Sequence, residues 1–208
     1  MYIPPHFAEN RPQAILDIIA THPLGTLVTH GTNGLEANHL PFDIKTNKSG
    51  YGTLLAHVAK ANPIWRETTS NDEVLVIFRG LDAYVSPNWY PSKHETHRQV
   101  PTWNYQAVHV YGNIKFIEDE NSLRAMLERL THTHEHKVQP ESPWIMSDAP
   151  PDYIAAMLKA IVGIEITITN IIGKSKLSQN KHAQDRTSLA VELEHRGHTA
   201  IAEAMRKS

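Results

Sequence analysis

The chain contains no cysteine. That excludes a disulfide scaffold, a thiolate nucleophile, an iron–sulfur cluster and a cysteine-ligated zinc site. It also lacks a surplus of positive charge: 20 Lys and Arg stand against 22 Asp and Glu, for a formal net charge of −2. A broadly basic nucleic-acid binder, whose affinity comes from neutralising phosphates, is therefore not expected. No apolar run approaches the roughly 18 residues that cross a bilayer, so no membrane partner is expected. Met1-Tyr2-Ile3-Pro4-Pro5-His6 shows no basic stretch followed by an apolar one. No signal peptide is read there, and the cytoplasm is the expected compartment. What is present is ordinary in bulk. The 208 residues, 40% apolar and 20% charged, suit one folded domain rather than disorder. Fourteen histidines are the one unusual count.

Periodicity predicts the elements. A first helix follows Asn10 as cap and Pro12 in the first turn, carries Ile15, Leu16, Ile18 and Ile19, and ends at Pro23. Strands are expected over 24–30, 35–44 with a break at Pro41, and 52–58, with turns at Gly31–Gly34 and Asn47–Gly50. Glu73–Phe78, with the run Val74-Leu75-Val76-Ile77-Phe78, reads as a strand buried on both faces or inside a barrel, and Ala83–Val85 as a short further one. Residues 86–105 read as a long loop rich in proline and aromatics. A strand follows over 107–117, with Gly112 as a bulge or close approach. Helices over 119–132 and 152–161, a strand over 163–172, a basic loop over 173–181 and a mostly helical stretch over 183–206 complete the chain. The expected class is α+β, mainly β, barrel-like with peripheral helices, in a single domain over 1–208 with a helical C-terminal extension.

Three polar clusters could carry chemistry. In the first, His57 and Lys60 offer donors for a phosphate. Asn62 can cap a following helix whose N-terminus favours an anion, although an ordinary capped turn accounts for the same residues. In the second, Trp89, Tyr90, Trp103 and Tyr105 supply planes, and Asn88, Lys93, Thr102 and Asn104 supply polar groups. That combination suits a flat heterocycle, or an aromatic minicore pinning the loop. In the third, Lys174, Lys176 and Lys181 sit among Ser175, Ser178, Gln179 and Asn180. These groups could reach an anion, but the spacing is not that of a nucleotide-binding P-loop, and a solvated basic loop is the plainer reading.

The tract His132-Thr133-His134-Glu135-His136 has no H-E-x-x-H spacing, and a helix C-terminus favours histidine anyway. No metal site is assigned to it. No G-x-S-x-G elbow supports a serine nucleophile, and no catalytic residue is assigned.

Taken together, several blocks resemble the PaiB family, described as FMN-binding negative transcriptional regulators. They are Met1-Tyr2-Ile3-Pro4 with Phe7, Asn38-His39-Leu40-Pro41-Phe42, His57-Val58-Ala59-Lys60-Ala61-Asn62-Pro63, Phe78-Arg79-Gly80 and Ala83-Tyr84-Val85-Ser86-Pro87. Trp89-Tyr90, Val100-Pro101-Thr102-Trp103-Asn104-Tyr105, Ile161-Val162-Gly163 and Lys176-Leu177-Ser178-Gln179-Asn180 complete the set. The resemblance runs along nearly the whole chain. Lys60 stands where the family usually carries Arg, which keeps the charge but loses the bidentate fork.

The resemblance implies an FMN-binding split β-barrel, similar to pyridoxamine 5′-phosphate oxidase, and a homodimer with flavin sites at the interface. It implies that His57 and Lys60 serve the FMN phosphate, together with Lys174 or Lys176. Thr102, Trp103 and Asn104 would flank or orient the ring, and Ser178 and Gln179 would close the pocket from the partner chain. Two functions compete. One is a flavin-dependent regulator, whose DNA contact has to come from a local basic patch such as 173–181 with Arg206 and Lys207. The other is a small FMN-dependent oxidoreductase or flavin reductase without direct DNA binding. It would take a nicotinamide donor stacked on the flavin, since no Rossmann motif is present. Another planar ligand such as haem could also take the place of FMN.

Overall fold

The computed structural model describes residues 1–47 and 50–208. The turn expected at Asn47–Gly50 falls on Lys48 and Ser49, outside the described residues. The chain forms two compact units. The first comprises Met1–His22, Arg79–His109 and Ile172–Ser208; the second comprises Pro23–Phe78 and Val110–Ile171.

In chain order the elements are β1 (Ala8–Glu9), α1 (Pro12–Thr21), β2 (Leu24–Gly31), β3 (Gly34–Pro41), β4 (Asp43–Asn47), β5 (Gly50–Ala59), α2 (Ile64–Glu67) and β6 (Glu73–Val85). Then come α3 (Pro91–Thr96), β7 (Thr102–Ile117), α4 (Glu120–Val138), α5 (Pro151–Lys159), β8 (Ile161–Lys176), α6 (Ala183–His195) and α7 (Thr199–Arg206). Seven strands form one hydrogen-bonded path, β3-β2-β6-β7-β8-β5-β4, and β1 pairs with β8. β6, β7 and β8 each contribute residues to both units. The architecture is α+β, mainly β, as the strand spacing predicts.

In the second unit, β2 and β3 form the expected hairpin, with Gly31 opposite Gly34 across a two-residue turn. Along β6, Val74, Val76 and Phe78 are buried, whereas Leu75 and Ile77 are only half-buried. The strand is therefore one-sided, and the large aliphatic residues Leu75 and Ile77 on its outer face make the run look buried on both. β7 and β8 approach so closely that a Cβ on Gly112 would lie 2.5 Å from the Thr167 carbonyl oxygen and 2.6 Å from Ile166 Cγ2. Gly112→Ala is expected to destabilise by about 1–3 kcal/mol through backbone displacement. A lower urea midpoint with unchanged slope would show it, and an unchanged midpoint would refute it. α4 and α5 bury Leu123, Ile154 and Leu158 against Ile117, Leu127, Met146 and Ile161. α4 runs on to Val138 and so includes the histidine tract, with the His132 and His136 rings stacked at 3.9 Å.

In the first unit, α1 starts at Pro12 with Arg11 as its cap residue, and Asn10 plays no capping part. Arg11 is instead tied back to the buried Glu9 carboxylate by two side-chain bonds, at 2.8 and 2.7 Å. The core joins Val85, Tyr90 and Leu177 to Leu189, Ala190 and Leu193 of α6 and Ile201, Ala202 and Met205 of α7. The mostly helical stretch expected over 183–206 consists of two helices. Gly197 takes a left-handed φ of 83°. Its N–H reaches the Glu194 carbonyl, and that of His198 reaches the Leu193 carbonyl, which closes α6 with a Schellman turn. Arg206 then clamps Glu194 with both guanidinium nitrogens.

Candidate functional site

The second and third predicted clusters meet within the first unit. The stretch read as a loop over 86–105 is mostly ordered by short helices: a 3-10 turn at Pro87–Trp89, then α3. The basic stretch after 172 is strand as far as Lys176. There, Lys176 Nζ donates to the Thr102 hydroxyl and, at 2.7 Å, to the Trp103 carbonyl. The Trp103 ring is about half exposed and meets the Tyr84 ring edge-on at 5.8 Å.

Three lysines gather here. Lys174 is buried; its Nζ donates to the Tyr2 carbonyl at 3.1 Å and lies 5.0 Å from the Tyr105 ring. Lys181 Nζ donates to Gln99 at 2.6 Å and lies 5.2 Å from the Tyr90 ring. Burial first, and then the charges of Lys174 and Lys181, hold the Lys176 ammonium below the usual lysine range. None of the three is in an ion pair among the described residues. Their partners are carbonyls, a hydroxyl, an amide and aromatic faces. Such a cluster is stabilised by an arriving anion, and the open Trp103 face offers stacking area beside it.

The remaining predicted residues of this unit play supporting parts. Asn104 is fully buried, accepts from Ser178 Oγ at 3.1 Å and donates to Met205 Sδ at 3.5 Å. Ser178 has a left-handed φ of 63°, a conformation costly for serine that this bond and its burial help hold. Gln179 spends its amide on its own turn: Oε1 accepts from the Leu177 N–H at 2.8 Å and Nε2 donates to the Ser175 carbonyl at 2.6 Å. Trp89 is covered by the Arg196 guanidinium at 4.7 Å, and its carbonyl accepts from Ser188. Lys93 lies in α3.

Residues outside the predicted site turn out to hold it. Asp185, almost fully buried, accepts from the Ser92 N–H at 3.0 Å and the Ser92 hydroxyl at 2.6 Å. Gln99 Nε2 donates to the same hydroxyl at 2.9 Å, and its Oε1 takes Lys181. Lys181 was legible as a third lysine of the 173–181 run. Asp185 gave no local signal, because its partner lies 93 residues away.

The first cluster belongs to the second unit. His57 sits in β5 opposite Gly163, and its Nδ1 is buried without a hydrogen-bond partner among the described residues. Lys60 Nζ pairs with Glu118 at 3.1 Å, both side chains being about half exposed. The cap position of the following helix is Pro63, without a side-chain cap bond; Asn62, one residue earlier, accepts from the Ile64 N–H at 3.0 Å, while its Nδ2 donates to Asn38 at 2.8 Å. That helix has four residues, too short to present much of a dipole.

Burial pushes the His57 and His109 imidazoles below their ordinary value of 6.5. The folded chain thus binds those protons less tightly than the unfolded chain. Stability from this source is complete above 6.5 and is lost as the pH falls from there through the lowered values. Melting temperature is expected to fall on acidification below about pH 6.5, and His109→Gln should flatten that slope. An unchanged slope would exclude His109 as a contributor.

The family model described as "Putative FMN-binding domain" matches residues 1–170. The Bacillus subtilis protein called "Protease synthase and sporulation protein PAI 2" is 32% identical over 194 residues, covering 93% of this chain and 89% of that protein. Among solved structures, the flavocytochrome Anf3 from Azotobacter vinelandii is similar with a TM-score of 0.59 at 12% identity, covering 81% of this chain and 69% of that one. The FAD and heme binding protein from Mycobacterium smegmatis is similar with a TM-score of 0.59 at 16% identity, covering 81% and 73%. At such identities the two structures bear on fold alone. Among the described residues, no helix is long and apolar enough to cross a membrane.

Proposed function

The chain belongs to the PaiB-type family of FMN-binding domains, and from that premise we propose that it is a cytoplasmic, flavin-dependent negative transcriptional regulator acting as a homodimer. The fold is the split-barrel class of FMN-binding proteins, and the cofactor is a flavin. The observation that carries the site assignment is the set of lysines 174, 176 and 181. Among the described residues they have no carboxylate partner, and Lys176 bonds the backbone of the half-exposed Trp103. In this reading the lysines take the FMN phosphate, the Trp103 face takes the isoalloxazine ring, and Thr102, Asn104, Ser178 and Gln179 fix the backbone that aims them. Bound FMN supplies reversible one- and two-electron chemistry.

The distribution of charge supports a DNA contact through the first unit. It carries eleven Lys and Arg against eight Asp and Glu, whereas the second carries nine against fourteen. The overall charge of −2 thus conceals units of opposite sign.

The experiment is to purify the protein, record its visible spectrum and titrate it with FMN. A yellow protein that binds FMN saturably and sediments as a dimer is expected. A colourless monomer with no FMN affinity would overturn the reading. Sequence-selective, salt-sensitive retention of DNA separates regulation from the oxidoreductase alternative. That alternative instead requires anaerobic reduction of the flavin by NADPH.

A further inference from the structure

We propose that Asn33, at the tip of the β2–β3 hairpin, is a site of spontaneous covalent modification that converts it to isoaspartate and aspartate. Of the twelve asparagines in the chain, Asn33 alone precedes a glycine. It is the second residue of the two-residue turn, and Gly31 and Gly34 form the last pair of the ladder beside it. The whole hairpin lies in the second unit. The reaction asks three things of its site: a side-chain amide free to turn, a following backbone nitrogen that nothing crowds, and a backbone that can swing to bring the two together.

The hairpin tip meets all three. Asn33 is exposed, and its side chain makes no hydrogen bond among the described residues. Asn38, Asn62 and Asn104 are by contrast each held by side-chain bonds, and Asn121 is fixed within α4. Gly34 has a φ of 101°, and a Cβ placed on it would meet no heavy atom within 4 Å. Glycine moves between this region and others at little steric cost, and the end of a ladder is where opening costs least.

The only co-reactant is water. The Gly34 backbone nitrogen bonds to Asn33 Cγ and closes a cyclic imide, and the side-chain nitrogen leaves as ammonia with the proton that Gly34 gives up. Water then opens the imide at one of its two carbonyl carbons. Opening at Cγ restores the ordinary chain with an aspartate. Opening at the main-chain carbon leaves the peptide link running through Cβ and Cγ, which is isoaspartate. Nothing is oxidised or reduced. Either product adds a carboxylate to the cleft that Asn33 lines together with Glu36 and Glu67, so like charge accumulates there. Isoaspartate also lengthens the turn by one backbone carbon, which upsets the pairing of Gly31 with Gly34. Farther along β3, Asn38 accepts the Asn62 amide, so slackening of this strand reaches the turn after β5. The proposal is independent of the flavin.

The test is to age the folded full chain at mildly alkaline pH and follow it by peptide mass mapping. Isoaspartate is read separately, with an isoaspartate-specific carboxyl methyltransferase. The peptide containing Asn33 should exchange its amide for an acid, and accept methyl groups, before any other asparagine peptide does. In Asn33→Gln, whose side chain is one carbon too long for the five-membered ring, methyl acceptance by the whole chain should drop to background. The aged parent should unfold at a lower urea midpoint than the fresh protein, and aged Asn33→Gln should keep its midpoint. Another asparagine reacting first would overturn the proposal. So would undiminished methyl acceptance in Asn33→Gln, or conversion at Asn33 only after unfolding in urea, which would show that the folded turn protects it.

Discussion

Replacing Lys176 with Met is expected to weaken FMN binding about ten- to a hundredfold while leaving riboflavin binding nearly unchanged. The reasoning starts from charge. Lys176 is partly buried, its ammonium is destabilised by burial and by two neighbouring lysines, and its bonded partners are neutral oxygens. A phosphate placed there relieves all three lysines at once. Met keeps the length of the stem and removes the donor. Riboflavin has no phosphate, so its affinity reports on the ring alone. The ratio of FMN to riboflavin affinity should therefore collapse, and the salt dependence of FMN binding should become shallower. Trp103→Ala provides the contrast, since loss of the stacking face should weaken both ligands together. If Lys176→Met leaves the affinity ratio as it is in the parent protein, the lysines are not the phosphate site and the assignment fails.

Asp185→Ala is expected to cost about 2–4 kcal/mol. The carboxylate is about 1% exposed and accepts two hydrogen bonds from one residue, the Ser92 N–H and hydroxyl. Alanine leaves both groups without that partner and leaves a void between α6 and α3. For a chain of this size, that corresponds to a fall of about 5–15 °C in melting temperature. Asn in the same place keeps one acceptor oxygen and should cost less than half as much. The damage should also spread along Ser92, Gln99 and Lys181. Flavin affinity should fall in Asp185→Asn even where the protein is fully folded. A variant as stable as its parent would show that the helices are held by the apolar core alone.

Much of this molecule is written in short-range pattern. The β2–β3 hairpin follows from Gly-Thr-Asn-Gly between two strands. Ile164, Ile166 and Ile168 turn inward along β8 as their alternation requires. Asn62 accepts from the backbone N–H two residues on, as its turn chemistry predicts. The errors were of range. Two strands predicted at 74–78 and 83–85 are one, because Arg79-Gly80-Leu81-Asp82 is polar enough to hide an extended backbone that its neighbours supply. The helical stretch over 183–206 is divided in two at a glycine whose left-handed φ breaks the run.

By itself the sequence determined that the chain has no thiol chemistry, folds as α+β, mainly β, with peripheral helices, and carries basic and aromatic clusters suited to an anion and a flat ring. Alternation, capping and composition act over a few residues, so they can be read from the chain directly. Only the tertiary structure decided which members of those clusters meet. Lys176 reaches Thr102 across 74 residues and Asp185 reaches Ser92 across 93. Strand pairing and helix packing fix such encounters, and these depend on the burial of the whole core rather than on local preference. The same packing turned Gln179, a plausible ligand in sequence, into a clasp for its own backbone.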